Sequence, residues 1–164
     1  MKRLILGLVV LLILVVLINS IVELIVFSND NGVIKVKPVF IKSTEVELRY
    51  IHSVARTPVH EYFTVDNNRF ILYKTVFESY GAGLPLDGGD FRRENGRFVQ
   101  EGQNIKLEQL IIRVSRTKGQ EIIVAGKVYD LQDLLEPGQR LTLDLYPPLS
   151  YIRFRLNKIR ARAK

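Results

Sequence analysis

The sequence predicts an all-β domain, an antiparallel sandwich or partly open barrel, on one N-terminal transmembrane helix, with at most one short helix near 131–135. Three observations carry this. An unbroken apolar run opens the chain. After it, short β-branched and aromatic runs alternate with turn signals, the pattern of a sandwich or barrel. Finally, 164 residues with no cysteine suit one domain with an ordinary core and exclude a disulfide scaffold, a thiolate metal site and a Cys nucleophile.

The elements follow in chain order. Leu4–Ile18 has no polar side chain, and extended to Val22 it matches a hydrocarbon thickness of about 30 Å. A backbone in lipid satisfies its own hydrogen bonds, so this stretch is expected to be helical. Lys2 and Arg3 precede it, which by the positive-inside rule places the N-terminus in the cytoplasm and the rest outside the cell membrane. Asn19, Ser20 and Glu23 then fall in the outer headgroup region. A signal peptide cleaved near Val26-Phe27-Ser28 is the competing expectation, and a buried core helix is a third. The expected division is an anchor over 1–26, an extracytoplasmic β domain over 29–156 and a basic tail over 157–164.

Asn29-Asp30-Asn31-Gly32 is a turn cluster joining anchor to domain. Strands are predicted at 33–41, 45–54, 59–66, 69–79, 107–116, 121–129, 141–145 and 151–156. Short pieces at 91–94 and 97–100 flank Asn95-Gly96, the strongest hairpin dipeptide in the chain. Asp130 caps a single helical turn at 131–135, and Pro137-Gly138 stops it.

Net charge is +7, yet residues 27–151 hold as many acidic as basic residues. The excess lies in Arg153, Arg155, Lys158, Arg160, Arg162 and Lys164. A nucleic-acid-binding domain would carry its basic patch on the folded body, so none is expected. The tail reads as a solvated end, with contact of Arg160, Arg162 and Lys164 to anionic headgroups or docking on an acidic partner as alternatives.

Alternation places Val46, Leu48, Tyr50, His52 and Val54 on one strand face. If Ala55-Arg56-Thr57-Pro58 is the turn, Val54 pairs with Val59 and His52 lies opposite Glu61. The Asn67-Asn68 turn then pairs Val65 with Phe70, Phe63 with Leu72 and Glu61 with Lys74. His52, Glu61 and Lys74 would form a polar row on an apolar face. Such a row is a satisfied structural patch, a ligand or partner site, or a His–Glu dyad. Catalysis lacks a placed nucleophile, because Ser53 points to the other face. No metal site is expected, since His60 and Glu61 also face opposite ways. No cofactor is expected.

The loop Ser79-Tyr80-Gly81-Ala82-Gly83-Leu84-Pro85, with Asp87-Gly88-Gly89-Asp90, has unusual backbone freedom. No Gly-Lys-Ser/Thr follows, so it is not a phosphate loop. It reads as a crossover between sheets or as a binding loop.

With Tyr50-Ile51-His52-Ser53-Val54, Glu61 and Ser79–Pro85 in this order, the chain resembles an uncharacterised family of small anchored or exported domains of unknown function, associated with TAXI-type TRAP transporters. The matching positions are His52, Ser53, Val54, Glu61, Gly81, Ala82, Gly83 and Pro85, within roughly residues 33–150. The resemblance implies a genomic association with such transporters and carries over no catalytic residue. The function expected from it is a non-catalytic accessory subunit that contacts a TRAP permease or its solute-binding protein. A small-ligand sensor domain, or a hydrolase using His52 and Glu61, are the alternatives. Expected ligand- or partner-binding residues are His52, Ser53, Glu61, Lys74, Tyr80, Gly81, Ala82, Gly83 and Pro85.

Overall fold

A computed structural model describes residues 2–41, 43–79 and 88–162, the last three by their backbone alone. Helix α1 (Lys2–Ile21) has no buried residue and meets the domain only near its C-terminal end, among the described residues. Its length and hydropathy suffice to cross a membrane, which is compatible with an anchor or a signal sequence.

Among the described residues eleven strands follow: β1 (Val22–Asn29), β2 (Gly32–Phe40), β3 (Glu45–Ile51), β4 (Pro58–Asp66), β5 (Arg69–Phe77), β6 (Asp90–Glu94), β7 (Arg97–Leu107), β8 (Gln109–Arg113), β9 (Glu121–Val124), β10 (Lys127–Asp130) and β11 (Arg140–Tyr146). Helix α2 (Leu131–Leu134) precedes β11 and α3 (Pro148–Arg162) follows it. The strands form two antiparallel sheets, one of four in the order β2-β1-β11-β8 and one of seven in the order β10-β9-β3-β4-β5-β7-β6. Inward residues of both sheets share one core: Ile25, Phe27, Leu141 and Leu143 from the small sheet meet Phe63, Val65, Phe70 and Ile122 from the large one. The predicted all-β class holds.

Turn chemistry explains most boundaries. Asn67-Asn68 and Asn95-Gly96 take the paired positive φ values of two-residue hairpins. Ala125-Gly126 does the same, so the single strand expected over 121–129 is the hairpin of β9 and β10. The Asp130 carboxylate accepts from the Gln132 amide at 2.8 Å and caps α2 as expected.

Other segments depart from the expected elements. The short piece expected at 97–100 runs on to Leu107 as β7, and the strand expected over 107–116 is β8, Gln109–Arg113. Residues 22–29 are not a membrane flank but the strand β1, set between β2 and β11. The turn Asn29–Gly32 joins two strands, with the Asn29 side chain accepting from the amides of Asn31 and Gly32 at 3.0 and 3.1 Å. Residues 151–156, expected as a strand, lie in α3. Pro148 at the first helical position loses no needed hydrogen bond and pre-sets φ. Over the whole segment Leu149, Ile152, Leu156 and Ile159 recur at helical spacing; the alternation within Tyr151–Leu156 is too short to distinguish the two periods. The tail beyond Asn157 continues this helix to Arg162, and Lys164 lies outside the described residues.

Candidate functional site

The inward face of β4 carries Val59, Glu61, Phe63 and Val65, so Glu61 interrupts an apolar stripe. Its neighbour across β3 is Leu48, not His52. The turn lies at 53–56 rather than 55–58: the His52 amide donates to the Thr57 carbonyl at 2.9 Å, and Arg56 takes a positive φ. His52 Nδ1 accepts from the amides of Val54 and Ala55 at 3.3 and 3.1 Å, so the buried ring caps its own turn. Moving the turn centre by two residues moves the pairing by four. An even shift keeps Glu61 on its face but leaves His52 about 13 Å further along the strand, at about 3.3 Å per residue. Ser53 is exposed in that turn.

Lys74 also leaves the expected row. A bulge in β5 breaks the register between Leu72 and Lys74, which sets Tyr62 opposite Lys74 and Glu61 opposite Thr75. Lys74 pairs with Glu101 at 3.2 Å and lies 5.2 Å from the Tyr62 ring. Thr75 takes the inward place and donates to Gln103 Oε1 at 2.9 Å, both residues being buried. The bulge thus reverses which residues of β5 face the core, and the alternation of the flanking residues gives no sign of it.

Glu61 finds its partner on β3. The Tyr50 hydroxyl donates to Glu61 Oε1 at 2.7 Å. Burial raises the Glu61 carboxyl above its ordinary value, and the Tyr50 bond offsets only part of this. Burial also pushes the Tyr50 phenol far up, reinforced by the Glu61 charge, so Tyr50 stays a donor at physiological pH.

Beside Glu61 a cleft of about 390 Å³ opens between the sheets, walled by Leu48, Phe63, Leu72, Ile105, Leu110 and Ile112, with Gln109 on edge strand β8. An apolar pocket with one or two convergent polar groups is the usual form of a small-ligand site. A neutral Glu61 carboxyl can both accept and donate there; an ionised one attracts a cationic head.

Tyr80, Gly81, Ala82, Gly83 and Pro85 lie outside the described residues, as does Asp87. The described end of that loop is constrained at Gly89, where φ is +77° and a Cβ would sit 2.2 Å from the Glu101 carbonyl oxygen and 2.9 Å from the Gln103 amide nitrogen. Gly89→Ala therefore meets both left-handed strain and a backbone clash. The expected cost is about 2–4 kcal/mol, read as a lower denaturation midpoint; an unchanged midpoint would show that the loop end repacks freely.

Two further polar groups have no local signature in the sequence. Glu47, on the outer face of the large sheet, bonds Arg49 at 2.7 Å and His60 Nδ1 at 2.8 Å. Burial alone would raise its carboxyl, but Arg49 and His60 outweigh this and hold it below the ordinary value. Glu23, expected among headgroups, is 2% exposed in β1. Its Oε1 accepts from the Asn68 amide at 2.8 Å, while Oε2 has no partner among the described residues. Burial raises this carboxyl too. The Glu23–Asn68 contact joins segments distant in sequence, and the Glu47–His60 contact depends on the register that the 53–56 turn sets between β3 and β4.

The model of a family described as a domain of unknown function, DUF1850, matches residues 46–131. That stretch spans the large sheet, β8 and the start of α2, with Tyr50, His52 and Glu61 inside it. No curated protein and no solved structure matches the chain.

Proposed function

We propose, from the premise that the chain belongs to the DUF1850 family, a membrane-anchored, non-catalytic binding domain whose inter-sheet cleft receives an apolar group bearing one polar head. The observation that carries this is Glu61, a carboxyl with a raised pKa held by Tyr50 beside an otherwise apolar cleft. Recognition by such a group is selective, because an apolar occupant without a polar head desolvates Glu61 and adds no bond to the one from Tyr50. His52 is committed to its own turn, which favours binding over a His–Glu hydrolase.

The setting we propose is the one implied by the His-Ser-Val, Glu and Gly-Ala-Gly-x-Pro resemblance. The domain sits outside the cell membrane, with Lys2 and Arg3 inside, as an accessory subunit of a TAXI-type TRAP transporter. The cleft would take a side chain of the permease or of the solute-binding protein that has an apolar stem and a polar tip for Glu61. A free small molecule is the second occupant, favoured by the cleft volume, which lies within the usual range of ligand sites of about 300–1,000 Å³.

A photo-reactive residue at Ile111, half-exposed at the cleft on edge strand β8, distinguishes them in native membranes. Cross-linking to a permease or solute-binding protein, lost in Glu61→Leu, supports the accessory role. A cross-linked small molecule supports the sensor. Cross-links that Glu61→Leu leaves unchanged, or none at all, remove the cleft as the binding site.

A further inference from the structure

Helix α3 has two opposed faces. Its inner face is pinned to the small sheet: Phe154 stacks on Tyr146 of β11 with ring centres 5.3 Å apart, and Tyr151 approaches the same ring at 6.1 Å. Lys158 lies over the Phe154 ring and reaches toward Gly32, which opens β2 opposite Asn29 at the end of β1. Opposite, Leu149, Ile152, Leu156 and Ile159 form a stripe, each between 50% and 59% exposed. Four large aliphatic side chains in one row are not a scattered surface feature. Arg153 and Arg155 are exposed in the same helix, which has no acidic residue.

The start of α3 is tied to the end of α1. The Asn19 side-chain oxygen accepts from the Leu149 amide at 3.0 Å, so the first residue of the stripe sits where the apolar helix leaves the bilayer. We propose that α3 lies on the anionic lipid surface as an interfacial helix, with Leu149, Ile152, Leu156 and Ile159 in the headgroup–acyl boundary and its arginines on lipid phosphates. This rests on α1 being an anchor. Apolar residues on one side with cations beside them are the composition of such helices. A second copy of α3 would set arginine against arginine, which disfavours a helix pair through the same stripe. Because α3 runs from Asn19 to Gly32 alongside β1, its full contact lays the small sheet over the membrane, with α3 between.

The absence of cysteine makes the test direct. Single cysteines at Leu12, Ile152, Asn157 and Ile159 are spin-labelled in the full chain, which is reconstituted in bilayers containing phosphatidylglycerol. Accessibility to oxygen and to a water-soluble nickel chelate is then compared. Labels at 152 and 159 are expected to lose nickel accessibility severalfold relative to 157. Arg153→Glu with Arg155→Glu, or purely zwitterionic lipid, is expected to return them toward water. A label at 159 as nickel-accessible as that at 157, with Leu12 protected, overturns the surface helix alone. Immersion unaffected by charge overturns the part assigned to the arginines. Broadening between labels at 152 in neighbouring copies, without immersion, assigns the stripe to a second copy and overturns the lipid. A nickel-accessible label at Leu12 overturns the anchor itself.

Discussion

A chain that starts at Asn29 is expected not to fold, while one that starts at Val22 keeps the sandwich. β1 is an internal strand of the small sheet, bonded to β2 on one side and β11 on the other. Its Ile25 and Phe27 are fully buried, Val26 is 1% exposed, and the Phe27 ring lies 5.4 Å from that of Tyr129. Each such side chain stabilises by about 1.5–3 kcal/mol. Their loss, with two strand ladders, removes a large part of the roughly 5–15 kcal/mol that holds a domain together. α1 has no buried residue, so its removal leaves this core intact. Urea unfolding followed by circular dichroism of the two truncated chains checks this. A cooperative transition at the same midpoint in both would show β1 to be dispensable. The same geometry bears on processing: cleavage near Val26-Phe27-Ser28 would cut through β1.

Glu61→Gln is expected to stabilise the domain at neutral and alkaline pH and to change nothing in acid. The folded Glu61 carboxyl titrates above its ordinary value of 4.5. A raised folded pKa means the stability this group contributes is fully present below 4.5 and is lost as pH rises through the folded value. Glutamine keeps an acceptor for the Tyr50 hydroxyl and removes the buried charge, for a gain of about 1 kcal/mol. Tyr50→Phe leaves Glu61 Oε1 without that donor and costs about 1–3 kcal/mol, most where Glu61 is ionised. Glu47 works with the opposite sign. Its depressed pKa supplies stability above the ordinary carboxylate value, lost as pH falls through the folded one. Denaturation midpoints of wild type, Glu61→Gln and Tyr50→Phe across the acid-to-neutral range separate these contributions. A Glu61→Gln difference that does not grow with pH would show that Glu61 is not held at a burial cost.

Much of the architecture is legible in the amino-acid sequence. The apolar run marks α1, alternation with Asn-Asn and Asn-Gly turns marks β4 to β7, and Asp130 with Pro137-Gly138 marks α2. Each is a local signal, set by a period or by the φ a turn demands. The inward position of Glu61 is legible for the same reason, since parity survives an even error in register. Its partners are not. Tyr50 meets Glu61 because His52 draws the turn two residues earlier, and Lys74 leaves because β5 bulges at Tyr73. β1 has the local character of an anchor's foot, and only β2 and β11, by taking its two edges, make it a strand. α3 has the local alternation of a strand, and it is a helix whose Phe154 stacks on Tyr146 of the small sheet and whose first turn meets Asn19. Local pattern determines which way a side chain faces. Which side chain it meets depends on bulges, turn centres and sheet edges, whose energies are settled only when distant segments pack.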